Sequence, residues 1–177
     1  MSLSDFAAVA SLINSAAVVI SLIYLGLQVN QAERNQRAQI RHGRATRSVD
    51  IILAMSEPSM GEALPKGVMG ADDISLTQFS QFTSIYGAFL ASAEDSYLQH
   101  QEGLLSDAVF ASLRASWAQS LSQPGVRALW KLRRIGFESG FVSFMDAIMS
   151  QVAVAPSGDF MADWKAAVAV EKAAADH

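Results

Sequence analysis

The densest group of potentially reactive side chains comprises Glu94, Asp95, His100 and Glu102. Carboxylates close to an imidazole are residue types that can transfer protons or bind a metal ion. Glu94 and His100 are six residues apart, however, so about 120° of rotation separates them on a helix. They are poorly placed to share a ligand, and the sequence favours a solvated acidic helix end. An enzyme would require these side chains to converge with residues of another helix.

Other sequence signatures of catalysis and metal binding do not occur. The chain has no Glu-x-x-His pair of the di-iron bundles, no Gly-rich phosphate loop, no His-Glu-x-x-His motif and no Gly-x-Ser-x-Gly elbow. It has no cysteine, and its histidines, His42, His100 and His177, are widely separated. We therefore predict no catalytic residues, no metal ligands and no cofactor. Arg133 and Arg134, beside Trp130 and Lys131, suit a small anion or headgroup site, but the sequence favours simple compensation of a helix dipole.

Composition separates the chain into unlike parts. Of its 177 residues, 51 % are hydrophobic and only 17 % are charged, against about 25 % in an average protein. Residues 30–55 hold five arginines and two acids, giving +3, whereas residues 56–177 hold eight Lys/Arg and fourteen Asp/Glu, giving −6. An acidic body with a basic collar argues against nucleic-acid binding.

Residues 6–29 contain no charge and no proline. A helix needs about 20 residues to cross the hydrocarbon core of a bilayer, so this segment predicts one transmembrane helix. A cleaved signal peptide would require a basic N-terminus, and residues 1–5 are acidic. A buried helix of a soluble protein is the remaining alternative, because Asn14 and several serines dilute the hydrophobicity.

Arginines follow the predicted span, and none precede it. Because basic residues stay on the cytoplasmic side, we expect residues 1–5 outside the cell and residues 30–55 inside, as a basic juxtamembrane helix continuing the span. This orientation predicts a single-pass protein of the bacterial inner membrane. Arg34, Arg37, Arg41, Arg44 and Arg47 are predicted to contact anionic lipid headgroups, unless they only set the topology.

Two patterns suggest helix association. Small or polar residues recur along the span at Ala7, Ala10, Ser11, Asn14, Ser15, Ala17 and Ser21. Such residues let helices approach closely in lipid, although an alanine-rich span also produces this pattern by chance. Beyond the span, a polar seam or an exposed polar face is formed by Gln28, Gln31, Asn35, Gln39 and His42.

The remainder of the chain predicts a small helical bundle. Residues 56–74 are rich in Gly, Pro and acid and are interpreted as a linker with one short helical turn. Within residues 75–177, Ser75 and Ser106 are expected N-caps, Gly103 ends a helix and Pro124 starts one. Another helix is expected from Phe137 to Val152, and a last one from Ser157 or Asp159. The fold class is therefore all-α: a transmembrane helix, a long juxtamembrane helix and a bundle.

Two stretches carry a family resemblance. The membrane exit LIYLGLQVNQ and the later run EGLLSDAVFASLRASWAQSLSQPGVRALWKLRRIGFESGFVSFMDAIM resemble uncharacterised bacterial single-pass membrane proteins of proteobacterial type. The resemblance implies an anchor followed by a helical cytoplasmic domain rich in Trp and Phe, and it transfers no activity and no site residues.

We expect a membrane-anchored interaction or scaffold protein. Its expected partners are membrane lipid and either further copies of itself or other subunits of a membrane complex. The alternative is a membrane-tethered sensor or binding module for an apolar ligand or lipid, because the chain has nine Phe and three Trp.

Overall fold

The fold is described by a computed structural model that covers residues 3–155 and 160–175, with side chains at most of these positions. The described residues form seven α-helices and one short 3-10 turn and contain no β-strand, which confirms the all-α prediction. The elements are α1 (Leu3–Met55), α2 (Met60–Met69), α3 (Leu76–Gln101), α4 (Asp107–Leu121), α5 (Pro124–Arg133), the 3-10 turn (Arg134–Gly136), α6 (Ser139–Gln151) and α7 (Phe160–Ala175). The chain divides into two compact units, Met1–Thr46 and Arg47–His177.

Helix α1 passes through Gly43 without interruption and ends at Met55. Its last turn closes as the Ser56 N–H donates to the carbonyl oxygens of Ile52 and Leu53. Pro58 follows, and proline disfavours helical conformation in the residue before it. The predicted continuous helix through residue 55 is therefore present.

The predicted membrane span, residues 6–29, is only partly described at the level of side chains. The described side chains there are those of Asn14 and residues 17–29. When only the described residues are considered, no helix has an apolar stretch long enough to cross a bilayer. The transmembrane helix stays a prediction.

The segment expected to be a linker differs from expectation. Residues 56–74 contain the ten-residue helix α2, which buries Met60, Ala63 and Gly67 on one side. These residues follow 3-4 spacing, so they share one face of the helix. The helix ends at Gly70, whose φ of 68° is the left-handed conformation that glycine adopts readily. Packing of this face against α3 and α5 stabilises a segment whose composition disfavours helix.

Local signals start and stop the next helices where the sequence predicted. The Ser75 hydroxyl accepts from the Gln78 N–H while the Gln78 side chain accepts from the Ser75 N–H, which forms a complete capping box at the start of α3. Gly103, with a φ of 70°, follows the end of α3, and Pro124 is the first residue of α5. The expected start of the last helix at Ser157 or Asp159 lies outside the described residues.

The core lies where α3, α4, α5 and α6 meet, and α2 packs on α3 and α5. Trp130 and Phe141 are completely buried, and Trp117 is nearly so. Apolar residues at helical spacing are expected to face the core, and these three do. Phe79 on α3 and Val109 on α4 are exceptions, since they are 44 % and 38 % exposed.

Candidate functional site

Between residues 17 and 29, helix α1 exposes mainly apolar side chains. Residues 17–39 are all exposed. Nine large apolar side chains among them are between 55 % and 66 % exposed: Val18, Val19, Ile20, Leu22, Ile23, Tyr24, Leu25, Leu27 and Val29. Because consecutive residues point in different directions around a helix, the exposed surface surrounds the axis. This arrangement is typical of a helix whose natural environment is apolar.

The small-residue pattern is only partly described. Asn14 and Ala17 are exposed, whereas the side chains of Ala7, Ala10, Ser11 and Ser15 lie outside the described residues. Ser21 donates its hydroxyl hydrogen to the Ala17 carbonyl oxygen at 2.8 Å. This bond within the helix satisfies the hydroxyl without a partner from elsewhere.

The predicted polar seam lies on the surface, since Gln28, Gln31, Asn35, Gln39 and His42 are all exposed. The basic collar is more varied. Arg34 and Arg41 are exposed, Arg44 is half-buried, and Arg37 pairs with Glu33 at 2.9 Å.

Arg47, one of the predicted headgroup contacts, forms an ion pair in the structure. Its guanidinium donates to a carboxylate oxygen of Asp95 on α3, and both side chains remain partly exposed. The pair joins the end of α1 to α3 within the second unit. Asp95 also accepts from the Gln99 side chain at 2.9 Å.

The acidic and histidine side chains near residue 100 do not form one site. Glu94 accepts from the backbone N–H of Glu138 at 2.7 Å, and Asp95 is engaged by Arg47. His100 stacks on Phe110 with ring centroids 3.8 Å apart, and its Nε2 lies 3.0 Å from Asp107 Oδ1. Glu94, Asp95 and His100 each contact a different neighbour, so these three side chains do not converge on one another.

Most aromatic rings pack against one another in the core. Trp130 meets Phe141 edge to face at 5.8 Å, and Trp117 meets Phe144 at 6.1 Å. The buried indole N–H of Trp130 donates to Asp146 Oδ1 at 2.8 Å, while Arg134 donates to Asp146 Oδ2 at 2.5 Å. The sequence does not predict this link between α5 and α6, because spacing along the chain does not pair residues of different helices.

Glu138 positions the start of α6. Its carboxylate accepts hydrogen bonds from the backbone N–H groups of Gly140 and Phe141, and these bonds lower the pKa of Glu138 below its ordinary value of 4.5. A second shifted pair is exposed, where a hydrogen bond from Lys66 lowers the pKa of Asp73 and raises that of Lys66. Neither Glu138 nor the Lys66–Asp73 pair is among the residues that line the open cleft of the second unit.

One open cleft of about 450 Å³ lies within the second unit. Its lining comes from the end of α1, the start of α2 and the first half of α3: Ala54, Glu57, Ser59, Met60, Ser80, Gln81, Ser84 and Ile85. Four of these eight residues carry a hydroxyl or amide group, and apolar atoms supply most of the lining surface. It contains no aromatic ring, so the Phe and Trp residues do not form a ligand cage there.

Among the described side chains, no group of three or more His, Asp and Glu residues could hold a metal ion. Comparison with protein-family models, with curated proteins and with solved structures finds no match for this chain. The resemblance to bacterial single-pass membrane proteins therefore stays a prediction.

Proposed function

We propose that this chain is a membrane-anchored interaction protein, in which residues 6–29 span the bilayer of a bacterial inner membrane. The observation that carries the proposal is the helix surface of residues 17–29, which is apolar and exposed on all sides. Water is an unfavourable solvent for such a surface, at about 25 cal/mol for each Å² of apolar area. Lipid removes that cost, and a helix satisfies its own backbone hydrogen bonds there.

The polar atoms in this segment fit the proposal. Ser21 is bonded to the Ala17 carbonyl oxygen, so burying its hydroxyl in lipid leaves no unpaired donor. Tyr24 lies near the end of the segment, where an aromatic ring suits the membrane interface. The arginines that follow, beginning at Arg34, keep the C-terminal domain in the cytoplasm by the positive-inside rule.

Association of the anchor with another helix is the second part of the proposal. Asn14 is exposed, and an amide in lipid gains free energy by hydrogen bonding to a neighbouring helix. The exposed amide side chains from Gln28 to Gln39 extend this polar surface beyond the span. Further copies of the chain or subunits of a larger membrane complex would supply the partner helix.

The ligand-sensor alternative rests on the aromatic content of the chain. Trp130, Phe141 and Trp117 are 0 %, 0 % and 3 % exposed and form the core, so packing accounts for them. The open cleft of the second unit has no aromatic lining, so the Phe and Trp residues give the ligand alternative no support there.

The mass of the detergent-extracted particle tests the interaction role. We expect a defined multiple of the 19.0 kDa protomer by light scattering, after subtraction of the detergent contribution. Asn14→Leu/Ser21→Leu should lower this mass, because it removes the polar side chains from the association surface. Val19→Leu/Ile23→Leu is the matched control and should leave it unchanged. If both double variants and the unmodified chain have the same mass, Asn14 and Ser21 do not contribute to association.

A further inference from the structure

Helix α5 has an exposed apolar face opposite its buried one. Leu132 and Ile135 are 73 % and 94 % exposed, and Ala128 is exposed one turn earlier. The spacing of these three residues places them on one side of the helix and its 3-10 extension. Val126 and Trp130, on the other side, are buried in the core. The outward side chains therefore do not serve the packing of the domain.

Basic residues surround this outward face. Residues 124–137 include no acidic residue. They contain four of the eight Lys and Arg residues of the acidic 56–177 region: Arg127, Lys131, Arg133 and Arg134. A basic segment in an otherwise acidic domain creates a local attraction for anions.

Two of these four cations are already occupied. Arg127 donates to the carbonyl oxygens of Leu121 and Val152 at 3.1 and 2.9 Å, and Arg134 pairs with Asp146.

Lys131 and Arg133 are exposed, and neither forms an ion pair with a carboxylate among the described residues. Lys131 lies on the outward face, four residues before Ile135. Arg133 lies seven residues after Val126, on the same side of α5. Its guanidinium lies beside α3, since a β-carbon on Gly87 would be 2.6 Å from Arg133 Nη1.

We propose that this surface, the α5 face (Ala128, Lys131, Leu132 and Ile135), binds the headgroup region of an anionic bilayer. Exposed aliphatic side chains enter the boundary between headgroups and acyl chains. The aliphatic part of the Lys131 side chain lies beside them, while its ammonium group stays among the phosphates of the lipid headgroups. Each cation near an anionic surface strengthens binding by roughly fivefold.

The size of the face favours a bilayer over a folded protein. A stable protein interface buries about 800 Å² on each partner, and two large aliphatic side chains supply only a small part of that. A bilayer surface adapts to a small projecting contact. The inference rests on the proposed anchor, which would hold the domain close to the membrane. The anchor and the membrane contact of the α5 face are nevertheless tested by different measurements.

The absence of native cysteine permits a single-site experiment on the full chain. Ala128→Cys carries a fluorophore at the edge of the face, and Gln119→Cys on α4, also exposed, carries it elsewhere on the domain. The labelled chains are reconstituted into phosphatidylcholine vesicles with or without phosphatidylglycerol. A quencher attached to the lipid chains should quench residue 128 more strongly than residue 119, and more strongly when phosphatidylglycerol is present.

Charge reversal then tests the cation of the face. Lys131→Glu should lower the equilibrium constant for docking by at least about fivefold and reduce the extra quenching. Lys165→Glu changes the net charge equally at an exposed position of α7 and should leave the quenching intact.

Equal quenching at residues 128 and 119 in both lipid mixtures overturns the α5 face. Protection of residue 128 from both lipid-borne and aqueous quenchers also overturns it and indicates a protein partner. Flotation with neutral vesicles tests the anchor independently, so a chain that floats but shows equal quenching contradicts only the α5 face.

Discussion

The carbonyl oxygen of Gly67 on α2 lies 1.8 Å from the position that a β-carbon on residue 125 of α5 would occupy. The two helices therefore cross at a distance that only glycine permits at residue 125. Gly67 is equally confined, because a β-carbon there would lie 2.1 Å from Cγ of Phe82. This crossing holds α2 in the second unit.

Gly125→Ala should destabilise the folded domain by about 3 kcal/mol or more, because the new methyl group overlaps backbone that cannot turn aside. Gly61→Ala is the control: Gly61 lies in the first turn of α2, the partner helix of the crossing, and a β-carbon there meets nothing within 4 Å. It should change the stability by no more than about 0.5 kcal/mol, because Gly61 is exposed. Urea unfolding of the full chain in mild detergent, followed by tryptophan fluorescence, measures both. Equal stabilities for the two variants would contradict the close crossing.

The indole N–H of Trp130 is buried and has Asp146 as its acceptor. Asp146→Ala should cost about 1–3 kcal/mol, because the indole donor loses its partner. Asp146→Asn keeps an acceptor oxygen and loses mainly the partly exposed ion pair with Arg134, so it should cost less than about 1 kcal/mol. The same unfolding measurement separates the two effects. If both variants lose the same stability, the charge of Asp146 matters rather than its acceptor oxygen.

Ser75 and Ser106 precede helices in the same way in the sequence, but only Ser75 makes a side-chain capping bond. Ser75→Ala should cost about 1 kcal/mol, whereas Ser106→Ala should cost much less. Comparing their unfolding midpoints provides an internal control, since the two substitutions are chemically identical. A larger loss for Ser106→Ala would contradict the capping assignment.

The lowered pKa of Glu138 predicts how the stability of the folded chain depends on pH. Its pKa is lower in the folded chain because the backbone N–H groups of Gly140 and Phe141 hydrogen-bond to the ionised carboxylate. The stabilisation is therefore fully present above pH 4.5 and is lost as the pH falls through the lowered pKa of the folded state.

Glu138→Gln should be less stable than the unmodified chain at neutral pH, and the difference should shrink in acid. Stability curves recorded from pH 7 down to about pH 3 measure it, with Glu102→Gln as a control at an exposed position. A difference that stays constant across this range would show that ionisation of Glu138 does not matter.

Much of the fold follows from local signals. Ser75, Gly103 and Pro124 mark helix boundaries because capping, left-handed backbone and the missing proline N–H are local properties. Helix α2 was missed because its Gly and Pro content disfavours helix. Its stability depends instead on contact with α5, whose residue 125 is 58 positions beyond Gly67 in the sequence. No spacing rule carries that information.

The candidate site was predictable only in part. The apolar segment and the arginine collar are visible in the sequence, but the partner of Arg47 is Asp95, 48 residues away. Leu132 and Ile135 gave no sign of exposure, because apolar residues at helical spacing usually face a core. Only the packing of α5 shows which of its two apolar faces remains uncovered.

The most direct test of the account is flotation of the full chain with membranes after an alkaline wash, which releases peripheral proteins and retains those that span the bilayer. We expect the unmodified chain to float. Ile20→Arg/Ile23→Arg should prevent this, because each arginine at the centre of a span costs about 2.5–3.5 kcal/mol. Gln119→Arg/Ala147→Arg, at exposed positions of the second unit, should float normally. Release of the unmodified chain into the wash would contradict the membrane anchor.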